Sequence, residues 1–382
     1  MRLVFCALAL GLGFSGAAMA AETPARAFPK FVVDPFWPKQ LPDDMIMGDL
    51  AGISVDASDH VWVLSRQKTL DQTAYLGLEK MQPTSECCRH APAVMEFDPD
   101  GNLVAGWGGP YTPTDIKAEF EWPDHEHGLT VDYKGNMWIC GNGKDAAKGI
   151  DDNQCLKMSR TGKFLLQVGH SGKSKGSLDT VNLNHPSQVA VWQKTNEAFI
   201  ADGYVNRRVI VVDNDTGKFK RMWGAYGRAP DDKAPADRSF DGPPPQQFNL
   251  VHGITISNDG LVYVSDRQNN RIQVFTLEGK FIKEAFIHRD TRSVSGTSYS
   301  TAFSADKEQK FLYDADLANF KVRVFDRLTL QEIPGAAFGH AGPYAGQFNQ
   351  LHIIATDSKG NLYTTEANGA RVQKWIYKGM SE

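Results

Sequence analysis

Beyond its first twenty residues the sequence contains no run of eighteen apolar residues, which excludes a membrane-spanning helix. It has no dense cluster of lysine and arginine either. The formal net charge is −4, and discounting Arg2 makes it −5, so nucleic acid is not an expected partner. Cysteine is scarce: there are five, and Cys6 lies in the leading apolar stretch. Helical periodicity is almost absent, so the 41% apolar content has to be buried by strands.

The leading stretch reads as an export signal. Arg2 supplies a basic start, residues 3–16 an apolar core, and Ala18-Met19-Ala20 a small-residue cleavage site. Cys6 is too early in that run to be a lipid-carrying cysteine. The remaining chain is expected to be a monomer outside the cytoplasm, periplasmic or secreted, taking a small-molecule or peptide substrate.

What the sequence does have is a repeat. Residues 250–267 (LVHGITISNDGLVYVSDR) hold an apolar strand, an Asn258-Asp259-Gly260 turn and a second strand ending in Asp266. Such a turn between alternating apolar runs is a strong hairpin signal, because glycine accepts the positive φ it needs. Versions of this unit begin near Leu50, Glu126, Pro186, Val251, Ser298 and Leu351. A period of roughly 45 to 75 residues with about four strands per unit predicts an all-β, six-bladed propeller over residues 28–378 as one domain. The last unit lacks a fourth strand of its own, and residues 30–34 are the natural donor, so the two chain ends are expected to close the ring.

Four insertions interrupt the repeat, at residues 67–92, 111–124, 142–154 and 228–247. The first and third are expected to rise from the face where the second strands end, where they could wall a pocket. Cys140 and Cys155 flank the third and would pair if they face each other across the hairpin. Cys87 and Cys88 are adjacent, which leaves either a strained bridge or two separate thiols.

Aligned by repeat, the residues opening the innermost strands are Ala51, His127, Ser187, His252, Tyr299 and His352. The histidines fall in units two, four and six. In a closed six-blade ring those units lie about 120° apart, so the three imidazoles converge on the axis as a triangle. That set suits one metal ion, expected to be Zn2+, with an open coordination position. Ordinary buried histidines bonded to carbonyls are the alternative, but recurrence at one repeat position on alternate units favours the metal. Arg66 and Arg267 occupy equivalent places just past a second strand, and Tyr204 sits at nearly the same level. Two guanidinium forks there can hold a carboxylate, and a phenol near a metal can act as a base. Asp202, Asp266, Asp316 and Glu366 end second strands, and their recurrence predicts a structural role with turn amides or with arginines such as Arg207 and Arg271.

The stretches EHGLTVD, IADGYVNRRVIVVDNDTGKFKRMWG, QFNLVHGITISNDGLVYVSDRQNNRIQVF and QFNQLHIIATD closely resemble peptidyl-α-hydroxyglycine α-amidating lyase, a six-bladed NHL-repeat propeller. The resemblance implies zinc on His127, His252 and His352, a catalytic role for Tyr204, and functional roles for Arg66 and Arg267. It implies cleavage of a carbinolamide C–N bond to an amide and glyoxylate. The chain departs from the family in several places. Ile353 stands where the family has a calcium-binding aspartate, leaving the carbonyls of Leu50 and Leu129 as a poor site. Gln350 replaces a methionine, and Val205 and Tyr263 replace disulfide cysteines. Two other functions fit the same scaffold: a metal-dependent hydrolase or lactonase, and a non-catalytic binding propeller.

Overall fold

Turn chemistry sets the hairpins. At the end of the strand Glu126–Val131, Asp132 Oδ1 accepts from the amides of Lys134 (2.8 Å) and Asn136 (2.9 Å), and Gly135 sits at φ 77° before the chain enters Met137–Gly141. Asp357 does the same with Lys359 and Asn361 in the last unit. Carboxylates that bond amides two and four residues on hold the chain in a tight reversal, and glycine removes the steric cost of the left-handed residue.

The computed structural model describes residues 26–70, 78, 86–110, 120–235 and 240–382; the expected leader, residues 1–20, lies outside them. Within these residues the hairpins extend into six antiparallel sheets arranged as the blades of a propeller. In blade four, Val251–Ile256, Leu261–Asp266, Arg271–Thr276 and Phe281–Phe286 pair in chain order from the axis outward. The sixth blade takes its outer strand from the start of the chain: Pro29–Asp34 pairs with Arg371–Met380, with Val33 opposite Trp375.

Burial follows the ring. Each of six apolar clusters joins the facing sides of two neighbouring blades, such as Trp62 and Leu64 of blade one with Ile139 and Leu156 of blade two. The cluster that joins blades six and one contains Ile353, Tyr363, Leu50 and Val61. A twisted sheet cannot bury both faces alone, so closing the ring is what completes the core.

Two expectations need correction. Blade five has three regular strands, Ser298–Phe303, Phe311–Asp316 and Lys321–Asp326, rather than four. Its outer edge is covered by an irregular segment, where Val322 and Phe338 exchange backbone hydrogen bonds of 2.9 and 3.0 Å. Two prolines and four glycines in residues 334–346 keep that segment from running as a strand. All four insertions leave from one face, the one expected for the first and third. Strands alternate in direction, so connections after a second strand and after an outer strand emerge at the same end; residues 71–77, 79–85, 111–119 and 236–239 of these connections lie outside the described set. Second, the arginine paired with Asp202 is Arg208, not Arg207.

The second-strand carboxylates form a structural series. Asp202 pairs with Arg208 (2.8 Å), Asp266 with Arg271 (2.7 Å), Asp316 with Arg323 (2.6 Å) and Glu366 with Arg371 (2.7 Å). Each carboxylate also accepts a backbone amide: Asn184, Asn249, Asn319 and Asn349 respectively. Breaking one such buried pair costs about 3–5 kcal/mol because a charge is stranded. Cys140 and Cys155 sit opposite each other on adjacent strands of blade two and are disulfide-bonded, with Cα atoms 4.1 Å apart. Cys87 and Cys88 are joined to each other.

Candidate metal and catalytic centre

At the start of the innermost strand, pairing with the second strand slips. The irregularity falls between Glu126 and Leu129 in blade two, Val251 and Gly253 in blade four, and Leu351 and Ile354 in blade six. A bulge re-aims the side chain it carries. Here each one brackets a histidine. The rings of His127, His252 and His352 lie 4.8, 4.8 and 5.0 Å apart by centroid, and one ligand nitrogen from each falls within 4.8 Å of the others.

The outer nitrogens decide which atoms face the axis. His127 Nδ1 bonds the Ser187 carbonyl (3.0 Å), His252 Nδ1 the Tyr299 carbonyl (2.7 Å) and His352 Nδ1 the Ala51 carbonyl (2.9 Å). A carbonyl only accepts, so each Nδ1 carries the hydrogen and each Nε2 presents a lone pair. Ser187, Tyr299 and Ala51 hold the same repeat position in blades three, five and one. The three blades without a histidine thus orient the three that have one. Gly128 permits the first of these contacts: a Cβ there would fall 2.0 Å from the Ser187 oxygen.

All three histidines are buried, and burial drives their pKa values well below the ordinary range, with the neighbouring histidines and arginines adding to the shift. Neutral imidazoles fixed by a carbonyl at the far nitrogen form the donor set that a zinc-like ion takes. The residues therefore fit such an ion. They do not fit calcium at the neighbouring position, where Ile353 is packed in the apolar seam and its amide and carbonyl bond Thr365 Oγ1.

Tyr204, Arg66 and Arg267 come together around this triangle. The Tyr204 hydroxyl lies 2.9 Å from His127 Nε2, 3.2 Å from His252 Nε2 and 3.1 Å from Arg267 Nη1, which donates to it. Arg267 is braced by Nε donating to the Ser295 carbonyl (2.7 Å) and by the Tyr299 ring 4.2 Å beneath its guanidinium. Arg66 is buried and anchored by Nε donating to the Glu126 carbonyl (2.6 Å), which leaves its terminal nitrogens for another partner.

Sequence reasoning missed several supporting residues. The carbonyl role of Ala51, Ser187 and Tyr299 had a signal, since they share the histidines' repeat position. Glu126 had none. Its buried carboxyl accepts from Trp122 Nε1 (2.7 Å), and burial pushes it up to about 7 against the pull of that bond and of Arg66. A second cluster, Asp56, His60 and Glu96, is bridged by Arg160, which already supplies its cation.

The NHL repeat family model matches residues 248–275, which contain His252 and Arg267. Peptidyl-glycine alpha-amidating monooxygenase B from Xenopus laevis is 33% identical over 343 residues, covering 86% of this chain and 34% of that protein. A probable peptidyl-alpha-hydroxyglycine alpha-amidating lyase from Caenorhabditis elegans is 28% identical over 241 residues, covering 60% of this chain and 56% of the relative. The chain thus spans about a third of the length of the amidating monooxygenases it matches. Among solved structures, a catalytically inactive virginiamycin B lyase from Staphylococcus aureus with quinupristin aligns with a TM-score of 0.50 at 13% identity, covering 92% of this chain and 99% of that one, a likeness of fold. The chain is an NHL-repeat β-propeller protein related to the peptidyl-α-hydroxyglycine α-amidating lyases.

Proposed function

We propose that this chain is an exported zinc-dependent lyase that cleaves a carbinolamide C–N bond, giving an amide and a carbonyl acid. The observation that carries the reading is the placement of the Tyr204 hydroxyl within 3.2 Å of two histidine nitrogens and of Arg267. His127, His252 and His352 would hold the ion through Nε2. Zinc bound there supplies Lewis acidity, which makes a substrate hydroxyl easier to deprotonate.

The chain's own residues do the rest. Tyr204, acting as its phenolate beside the positive Arg267 Nη1, takes the hydroxyl proton at its oxygen and becomes the phenol. The carbon–oxygen bond gains double-bond character as the C–N bond breaks, its electron pair leaves on nitrogen, and nitrogen takes back the proton held by Tyr204 to become the amide, which restores the phenolate. Arg66 and Arg267 hold the substrate carboxylate, which fixes the breaking bond over the triangle. Among the described residues the Arg66 terminal nitrogens have no hydrogen-bond partner, so they are the fork for that contact.

The test is product analysis on a peptidyl-α-hydroxyglycine, with elemental analysis of the protein purified from its own compartment. Amide and glyoxylate in equal amounts, with no oxygen taken from labelled water into the amide, support the lyase. Incorporation of that oxygen into product supports a hydrolase or lactonase, and absence of both metal and turnover leaves a binding propeller.

A further inference from the structure

On the face opposite the histidines, a cavity of about 470 Å³ opens between blades five and six. Its walls are Phe311, Tyr313, Tyr377 and Met380, and Lys310 and Lys359 stand at its mouth. The repeat explains why it is there. Between blades three and four, Trp192 fills the same level: a Cβ on Gly260 would lie 3.6 Å from both Trp192 and Leu277. Gly360 and Tyr377 are the counterparts of Gly260 and Leu277, each one hundred positions on. The counterpart of Trp192, five residues after Tyr299 as Trp192 is after Ser187, is Ser304. The three atoms nearest a Cβ on Gly360 all belong to Tyr377, from 3.5 Å. An indole present in one seam is a hydroxymethyl in the other, and the space is left open.

The lining is specific in its chemistry. Tyr313 is 2% exposed, and among the described residues its hydroxyl has no hydrogen-bond partner, so a buried phenol offers an unused donor to the cavity. Burial pushes that phenol up, which keeps its hydrogen in place. The Lys310 and Lys359 side chains are exposed and their ammonium groups likewise lack a partner among the described residues. Asp306, the acidic group in the lining, is already taken up by Ser304 Oγ and the Lys310 amide. An aromatic slot with one inner donor and two cations at the rim matches an amphipathic monoanion, and the volume lies in the small-ligand range of about 300–1,000 Å³.

The geometry points to a second ligand site in the seam between blades five and six, for a medium-chain carboxylate whose hydrocarbon lies on Phe311 and Tyr377 and whose head group meets Lys310 and Lys359. It is independent of the metal-centred reading.

Displacement of anilinonaphthalene sulfonate fluorescence by decanoate, decanol and decyltrimethylammonium tests it on the full chain. Decanoate should displace the dye best. Lys310→Glu with Lys359→Glu should weaken decanoate roughly 10-fold, the scale of two exposed ion pairs, and leave decanol unchanged. Ser304→Trp, which copies the other seam, should abolish displacement; if it does not fold, Ala305→Trp fills the mouth instead. A diazirine-bearing decanoate should label peptides containing Phe311, Tyr377 or Met380. Equal displacement by decanol, labelling elsewhere, or unchanged affinity in a folded Ser304→Trp protein would overturn the site.

Discussion

His352 Nδ1 donates to the carbonyl of Ala51 across 2.9 Å, although the two residues are 301 positions apart. Blade six can therefore present its imidazole correctly only once blade one is docked beside it. Ring closure, through the pairing of Pro29–Asp34 with Arg371–Met380, and assembly of the histidine triangle are one event.

From this coupling, His252→Ala should remove most of the bound metal and most of the turnover together, since two imidazoles remain where three are needed. Elemental analysis and product assay on the same preparation check it. Metal and turnover both unchanged would show that the triangle is not the metal site.

Tyr204→Phe removes the oxygen that meets two histidines and Arg267 while leaving the ring in place. Metal content should stay, and turnover should fall about 10²-fold or more, the usual scale for a general base. Retained turnover would assign the proton transfer to another group.

The arginines should separate in steady-state kinetics. Arg66 is anchored on a carbonyl through Nε, and its fork has no partner among the described residues, so Arg66→Ala should chiefly raise KM. Arg267 donates to the Tyr204 hydroxyl as well as being proposed to hold the carboxylate, so Arg267→Ala should lower kcat as well. Identical profiles for the two variants would mean they share a single role.

Calcium should do little at the channel site. Ile353 contributes an apolar side chain buried in the seam between blades six and one, so no carboxylate is offered there. Melting curves with calcium and with chelator should coincide; a tight site would raise Tm by mass action. A large rise that vanished on substituting residues around Leu50 and Leu129 would refute this.

Stability should fall in acid partly through Glu197. Its carboxyl is held at about 2, below the ordinary 4.5, chiefly by a two-pronged hydrogen bond from Arg221. A depressed carboxyl contributes stability that is present above 4.5 and lost as pH falls towards 2. Denaturant midpoints measured across that window should drop less steeply for Glu197→Gln than for the parent. Parallel curves would show that the pair is silent in stability.

Much was legible in the sequence because a propeller is written as a repeat. Hairpin turns such as Asn258-Asp259-Gly260 act within a few residues, and the alternation of His127, His252 and His352 with Ala51, Ser187 and Tyr299 placed three imidazoles on one axis by symmetry alone. Other features depend on which groups meet across blades, and spacing carries no record of that. The choice of Arg208 over Arg207 for Asp202 turns on which side chain faces the strand end. The Trp122–Glu126 contact, the brace of Tyr299 under Arg267 and the irregular cover of blade five likewise arise only in the packed ring. The open seam at Ser304 is the clearest case: the substitution is visible in the repeat, but only docked neighbours show that no described residue fills the space, because a cavity is a property of surfaces brought together and not of any one strand.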